Sequence, residues 1–308
     1  MVQRSHAPTS SASSSIYSDI LQYRNNNNKL GAFTTKGLYV PIFLQKNHYL
    51  ALSIISNMGK EAIIIGATSG IGQAVATRLL EEGWRVAITG RRVERLKALQ
   101  ECYGADRVVV HAMDVTQDSA TEVLDDILRE VTTPDVLLYA AGIGRQNPDL
   151  EESMELRTVK TNCEGMVRIV DHFINYVKRT PHYTAKSRAH IAVITSVAGT
   201  MGMGQAAAYS ATKSMQSAYL VALSQLRRMQ HLPITVSDIR PGFVATEILN
   251  PEKHYPMLMT ADTAARYIVR SFKRRSRILI FDWRYKLLVG FWRLIPRCVW
   301  ERMTMVKN

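Results

Sequence analysis

The sequence predicts an α/β protein: a seven-stranded parallel sheet, doubly wound in the order 3-2-1-4-5-6-7, with helices on both faces. Three observations carry this. Short apolar runs alternate with segments of helical periodicity from about residue 60 to 281, and such alternation means βαβ units whose sheet is covered on both sides. A glycine cluster, Gly66, Gly70 and Gly72, falls between the first strand and the first helix. Crossovers between parallel strands are right-handed, which winds successive units onto the two faces.

Taken in order, Ala62 to Ile65 is the first strand. The glycine turn comes next, then a helix through Ala74, Ala76, Leu79 and Leu80, with Gly83 as its stop. Arg85 to Thr89 is strand two and Val93 to Tyr103 a helix. Arg107 to Met113 is strand three, running into Asp114, and Ser119 to Val131 a helix. Asp135 to Tyr139 is strand four, leading into Ala140-Ala141-Gly142. Glu151 to Lys178 reads as one long helix. Ala189 to Thr195 is strand five, Gln205 to His231 a second long helix and Ile234 to Ile239 strand six. Thr260 to Phe272 is a helix and Arg277 to Phe281 strand seven.

Composition bounds the function. The 308 residues are 46% hydrophobic, enough for a sizeable core. Cys102, Cys163 and Cys298 match no metal or disulfide spacing, which suits a reducing cytoplasm. No uncharged apolar run reaches the ~18 residues of a membrane span. The net charge of +13 is unevenly held: residues 1–57 carry +4 and 273–308 carry +8, leaving +1 for 58–272. A nearly neutral body excludes a nucleic-acid groove across it. Residues 1–57, with Ser10 to Ser15 and Asn25 to Asn28, have a disordered composition. Met58 precedes the first strand directly, so the expectation is that it is the initiator and 1–57 a dispensable or non-native extension. Residues 58–282 form the domain and 283–308 a basic C-terminal segment.

Three patterns carry chemistry. The glycines let backbone approach a pyrophosphate, and the helix behind them supplies amides and a positive dipole end. Strand two ends Thr89-Gly90-Arg91-Arg92, without the acid that holds a ribose 2′-hydroxyl. Guanidiniums there suit a 2′-phosphate, so NADP(H) is expected over NAD(H), with Arg91 the principal partner. Tyr209 and Lys213 lie one helical turn apart. A cation beside a phenol favours the phenolate, so Lys213 is expected to lower the Tyr209 pKa and fit it for proton exchange.

On these residues, the chain from about 60 to 250 resembles the short-chain dehydrogenase/reductase family, whose fold is a Rossmann-type doubly wound sheet. The family's glycine motif stands as Ile65-Gly66-Ala67-Thr68-Ser69-Gly70-Ile71-Gly72, with Ile65 in place of its threonine. The resemblance implies cofactor contacts from Gly66, Ser69, Gly70, Ile71 and Gly72. It places the adenine-side acid at Asp114, followed by Val115. The family's Asn-Asn-Ala-Gly stands as Tyr139-Ala140-Ala141-Gly142, which keeps Ala141 and Gly142 and loses both asparagines. It implies a catalytic set of Asn162, Ser196, Tyr209 and Lys213, Ser196 lying thirteen residues before Tyr209. It also implies that Pro241, Gly242, Val244 and Thr246 wrap the nicotinamide.

The activity implied is that of an oxidoreductase moving a hydride between NADP(H) and a carbonyl or alcohol. In that reading Tyr209 is the general acid, Ser196 steadies the oxygen, and Lys213 holds the ribose. Asn162 fixes a relay water toward Lys213. Met201 and Met203 would wall an apolar ketone pocket. The alternative is a catalytically silent NADP-binding regulatory or scaffold protein. No metal is expected. A homo-oligomer in the cytoplasm is expected. In 283–297, Leu287, Leu288, Phe291, Leu294 and Ile295 share helical spacing among Arg284, Lys286, Arg293 and Arg297. Such a helix lies on an anionic membrane surface, or packs on its own domain, on a second subunit or over the pocket.

Overall fold

The computed structural model describes residues 59–249, 252 and 254–303. The expected extension, 1–57, and Met58 lie outside them. The main sheet has seven parallel strands: β1 (Glu61–Ile65), β2 (Arg85–Gly90), β3 (Val108–Ala112), β4 (Val136–Tyr139), β5 (Ala189–Ile194), β6 (Ile234–Ile239) and, last in the chain, β9 (Ile278–Leu279). Their order across the sheet is β3-β2-β1-β4-β5-β6-β9, which is the expected winding. Two short strands, β7 (Val244–Ala245) and β8 (Met259–Thr260), pair apart from it.

Both faces of the sheet are buried, and the strand alternation divides between them. Ile63 and Ile65 face one core with Leu137, Val193, Met166 and Phe173. Ala62 and Ile64 face the other with Leu79, Ile88, Leu96 and Ile268. Fully burying one such Ile or Leu contributes about 1.5–3 kcal/mol. The first core is closed by α3 (Ala120–Glu130), α5 (Gly165–Arg179) and α6 (Ala207–Met229); the second by α1 (Gly70–Glu81), α2 (Val93–Tyr103) and α7 (Ala261–Arg274).

The long helix expected over 151–178 is two. After α4 (Glu152–Val159) a wide π turn spans Lys160–Glu164 before α5 begins. Side chains from elsewhere hold two of its carbonyls. Tyr139 Oη donates to Thr161 O at 2.8 Å and Gln216 Nε2 to Asn162 O at 2.7 Å. Strand seven is also shorter than expected, because β6 offers β9 only the pairs Asp238–Ile278 and Ile239–Leu279. The chain then turns at Asp282, whose carboxylate caps α8 (Trp283–Trp292) by accepting from Arg284 N at 2.9 Å. A one-turn helix, α9 (Arg297–Trp300), comes after it. Among the described residues no helix is long and apolar enough to cross a membrane.

Candidate active site

Because the sheet is parallel, the C-terminal ends of its strands share one edge, where ligands bind in open α/β sheets. At the end of β1 the turn needs glycine. A Cβ on Gly66 (φ +92°) would lie 2.6 Å from Ala141 N, and one on Gly72 would lie 2.2 Å from Gly66 O. Ser69 stands before α1 in extended conformation without capping it, and the first turn holds no acid. The amides and positive end of a twelve-residue helix are thus left for an anionic group. This donor set fits the pyrophosphate of a dinucleotide. Ile71 packs toward the second core, and the Thr246 methyl sits 3.2 Å from where a Gly70 Cβ would stand, so the loop after β7 reaches the glycine turn.

The two arginines after β2 stand in different surroundings. Arg91 is exposed, and its charge acts on Asp114. Arg92 makes the contacts to the glycine turn: it donates to Ser69 Oγ at 2.7 Å, to Thr68 Oγ1 at 3.1 Å and to Glu247 at 2.7 Å. Arg95 pairs with the same carboxylate, and the bonds from Arg95 and Arg92 hold Glu247 down to about 2. Asp114 is pushed up by burial, but Thr116 N and Oγ1, at 3.0 and 2.8 Å, and the Arg91 and Lys160 charges outweigh that and lower it. Val115 turns inward against Gly165, and its carbonyl accepts from Arg168.

The four expected catalytic residues converge. The wide turn carries Asn162 inward, fully buried. Its Oδ1 accepts from Ile143 N at 2.9 Å, and its Nδ2 donates to Ile143 O at 2.8 Å and Thr212 Oγ1 at 3.0 Å. Ser196 caps a short turn after β5, its Oγ accepting from Ala198 N at 3.1 Å, and its hydroxyl acts on the Tyr209 phenol to lower its pKa. Lys213 Nζ lies 5.8 Å from the Tyr209 ring centroid, donating to Ile194 O at 2.9 Å and Gln216 Oε1 at 3.0 Å. Gly142 lies against both Asn162 and Lys213.

One expectation needs correction. Lys213 does not hold the phenol down: burial raises the Tyr209 pKa, opposed by the Ser196 bond. The ammonium is aimed at Ile194 and Gln216, and burial lowers its own pKa to about 8. In addition, Asn162 and Lys213 are joined by a side chain. The Gln216 amide, fully buried, donates to Asn162 O and accepts from Lys213 Nζ.

Other residues of the site gave no signal in the sequence. Gly144 passes so close to Tyr209 that a Cβ would sit 2.1 Å from the ring. Glu155 accepts from Ala208 N at 2.8 Å and from Asn147 Nδ2 at 2.8 Å, anchoring the start of α6 just before Tyr209. Asp238 accepts from Thr195 Oγ1 at 2.5 Å and from Arg240, a buried group beneath Ser196.

On the substrate side, Pro241 O accepts from Val197 N, and Gly242 is covered by the Tyr285 ring. Tyr285 Oη accepts from Phe243 N and donates to Pro256 O, both at 3.1 Å. Val244 is buried in the second core, and Thr246 Oγ1 donates to Val244 O at 3.2 Å. Met201 is half-buried, whereas Met203 packs inside with its amide on Ser210 Oγ. Trp300 Nε1 donates to Gly202 O at 2.7 Å, which ties the C-terminal helices to this loop. No cluster of His, Cys, Asp and Glu among the described residues is arranged to hold a metal.

Comparison with known proteins agrees with this geometry. A family model described as short chain dehydrogenase matches residues 60–255. A glycine betaine reductase of Emericella nidulans is 34% identical over 198 residues, which are 62% of this chain and 15% of that protein's own length. An oxidoreductase of Myxococcus xanthus is 27% identical over 79% of this chain and 95% of its own. A 3-oxoacyl-[acyl-carrier-protein] reductase of Staphylococcus epidermidis is 29% identical, over 63% and 78%. A crystal structure of a 3-ketoacyl-(acyl-carrier-protein) reductase from Brucella melitensis, complexed with NADH, aligns with a TM-score of 0.65. It is 24% identical and covers 73% of this chain and 97% of that one, a likeness of fold.

Proposed function

The chain belongs to the short chain dehydrogenase family, an oxidoreductase acting on C=O and CH–OH groups, and from that premise we propose that it is an NADP-dependent reductase of an apolar ketone. The observation that carries the reading is the convergence of Ser196, Tyr209 and Lys213 at the strand edge that the uncapped α1 also faces. The nicotinamide cofactor supplies the hydride. Gly66, Ser69, Gly70, Ile71 and Gly72 hold its pyrophosphate side. Asp114, Ala141 and Gly142 hold the adenine and ribose side, and Pro241, Gly242, Val244 and Thr246 the nicotinamide side. Arg92, poised on Ser69 and paired with Glu247, joins Arg91 in receiving a 2′-phosphate, and the lack of an Asp or Glu at the end of β2 favours NADP(H) over NAD(H).

In reduction, Tyr209 Oη gives its proton to the carbonyl oxygen as that oxygen gains charge. A phenol kept protonated by burial is in the right state to donate. Ser196 hydrogen-bonds the same oxygen and stabilises the developing alkoxide. Lys213, held by Gln216 and Ile194, places a cation beside the ring and the ribose, and Asn162 fixes the loop that carries Gly142. An apolar ketone is the reading of the half-buried Met201 in the loop after Ser196.

The test is consumption of NADPH or NADH over a panel of carbonyls that includes long apolar ketones. Tyr209→Phe should lose ~10²–10⁴-fold in kcat with NADPH affinity retained. Retained turnover would reject the acid role, and an absence of turnover in the native chain would favour the silent binder. Arg91→Asp should weaken NADPH by ~tenfold or more and leave NADH little changed. Equal losses for both cofactors would reject the NADP assignment.

A further inference from the structure

The C-terminal helix α8 has two faces, and its apolar outward face is unaccounted for by the reductase reading. The inner face is occupied by the protein itself. Tyr285 and Val289 are buried on Val197, with Phe243, Met257 and Ile280 around them. Trp292 meets the buried Trp300 edge-on. The outer face repeats every four residues as Trp283, Leu287 and Phe291, and Leu294 extends it three residues further. These side chains are 67%, 64%, 63% and 79% exposed. Positions four apart stand one above another on a helix, so this is one continuous stripe. Large apolar side chains gathered at such exposure mark a contact surface.

Charge decides what covers it. Residues 283–303 hold five Lys/Arg and one acid. At 100° per residue, Lys286 and Arg293 fall on one flank of the stripe and Arg284 on the other. Arg284 is paired with Asp282, whereas Lys286 and Arg293 have no ion-pair partner among the described residues. A second copy seated face to face by a two-fold axis would bring the same cations against each other. An apolar stripe edged by cations, with a Trp at one end, matches instead the boundary between acyl chains and anionic headgroups. The helix is too short to span and already buries its other face, so it would lie in the plane of the surface.

We propose that the outer face of α8 and the turn after it, through Trp283, Leu287, Phe291 and Leu294 with Lys286 and Arg293, docks the protein on anionic lipid bilayers as a peripheral membrane protein. The inference stands independently of the reductase reading. One helix diameter, ~10 Å, separates this face from the Gly242 loop, so the substrate side would sit at the membrane.

The test is sedimentation of the full chain with vesicles of phosphatidylcholine alone or with phosphatidylserine added, together with tryptophan emission. The native protein should pellet with the anionic vesicles only, release in high salt, and shift its emission to the blue. Trp283→Ser/Leu287→Ser/Phe291→Ser and, separately, Lys286→Glu/Arg293→Glu should each weaken the binding ~tenfold or more. Both sets replace exposed side chains, and unchanged thermal denaturation would show that the fold persists. The proposal is overturned if the native chain pellets with neither vesicle or equally with both. It is also overturned if either variant binds as the native chain does, or if the triple variant converts a dimer to a monomer with no effect on vesicle binding.

Discussion

Lys213 is buried with its cation between two acceptors, and its chemistry comes from them. Burial brings its pKa to about 8, so it titrates close to neutral pH. Ile194 O and Gln216 Oε1 both favour the charged form. Removing one acceptor lowers the pKa further, and adding a carboxylate raises it. Gln216→Leu should therefore move the corresponding limb of the kcat–pH profile to lower pH, and Gln216→Glu should move it to higher pH. The Leu variant also strands the buried Asn162 carbonyl and should cost about 1–3 kcal/mol, read by thermal denaturation. A pH profile unmoved by both substitutions would mean that Gln216 only fills space.

The wide turn between α4 and α5 and the start of α6 are one construction. The turn swings Asn162 into the protein, where it binds both main-chain groups of Ile143 and the Thr212 hydroxyl of α6. On α4, Glu155 reaches the amide of Ala208 at the other helix's first turn, where a carboxylate is favoured by the dipole. Tyr209 is the next residue, so the bond sets where the phenol stands. Glu155→Ala should cost about 1 kcal/mol of stability and lower kcat more than KM changes. Glu155→Gln, which keeps an acceptor, should recover most of both. Equal behaviour of the two variants, measured by kinetics and thermal denaturation, would assign Glu155 a packing role alone.

The stability of the protein as a whole depends on a group near the other end of the sheet. His190 on β5 is buried, with Nε2 2.7 Å from Ser237 Oγ and its ring edge-on to Phe272 of α7. Burial lowers its pKa to about 4, against the usual 6.5. Above 6.5 the folded and unfolded chains are both neutral here, and the contribution is intact. Between 6.5 and 4 the unfolded chain takes up a proton that the folded chain refuses, so stability falls as pH falls. Across that window the loss is of order 3 kcal/mol. Urea midpoints should drop from pH 7 to pH 4.5, and His190→Gln should flatten the drop. An equal slope in the variant would place the acid sensitivity elsewhere.

The spacing of residues along the chain was enough to place the sheet order, the glycine turn and the Tyr209–Lys213 pair, while Asn162 and Ser196 were named only by the resemblance to a family. Each of these depends on local periodicity or on motifs within a few turns, and the parallel sheet then brings the strand ends together. Hydropathy says that a face is buried but not which atoms it meets. Gln216 and Asn162 are 54 residues apart, Glu155 and Ala208 are 53, and Arg92 and Glu247 are 155. Those pairings exist only after folding, so the break in the long helix and the tie to Gln216 were not legible. The sign of the Tyr209 shift belongs with them, because it turns on how far water is excluded and where the Lys213 ammonium is aimed. The C-terminal helix shows the same limit. Its sequence holds apolar and basic residues at helical spacing, but packing decides that Tyr285 and Val289 turn inward and that Trp283, Leu287 and Phe291 are left outside.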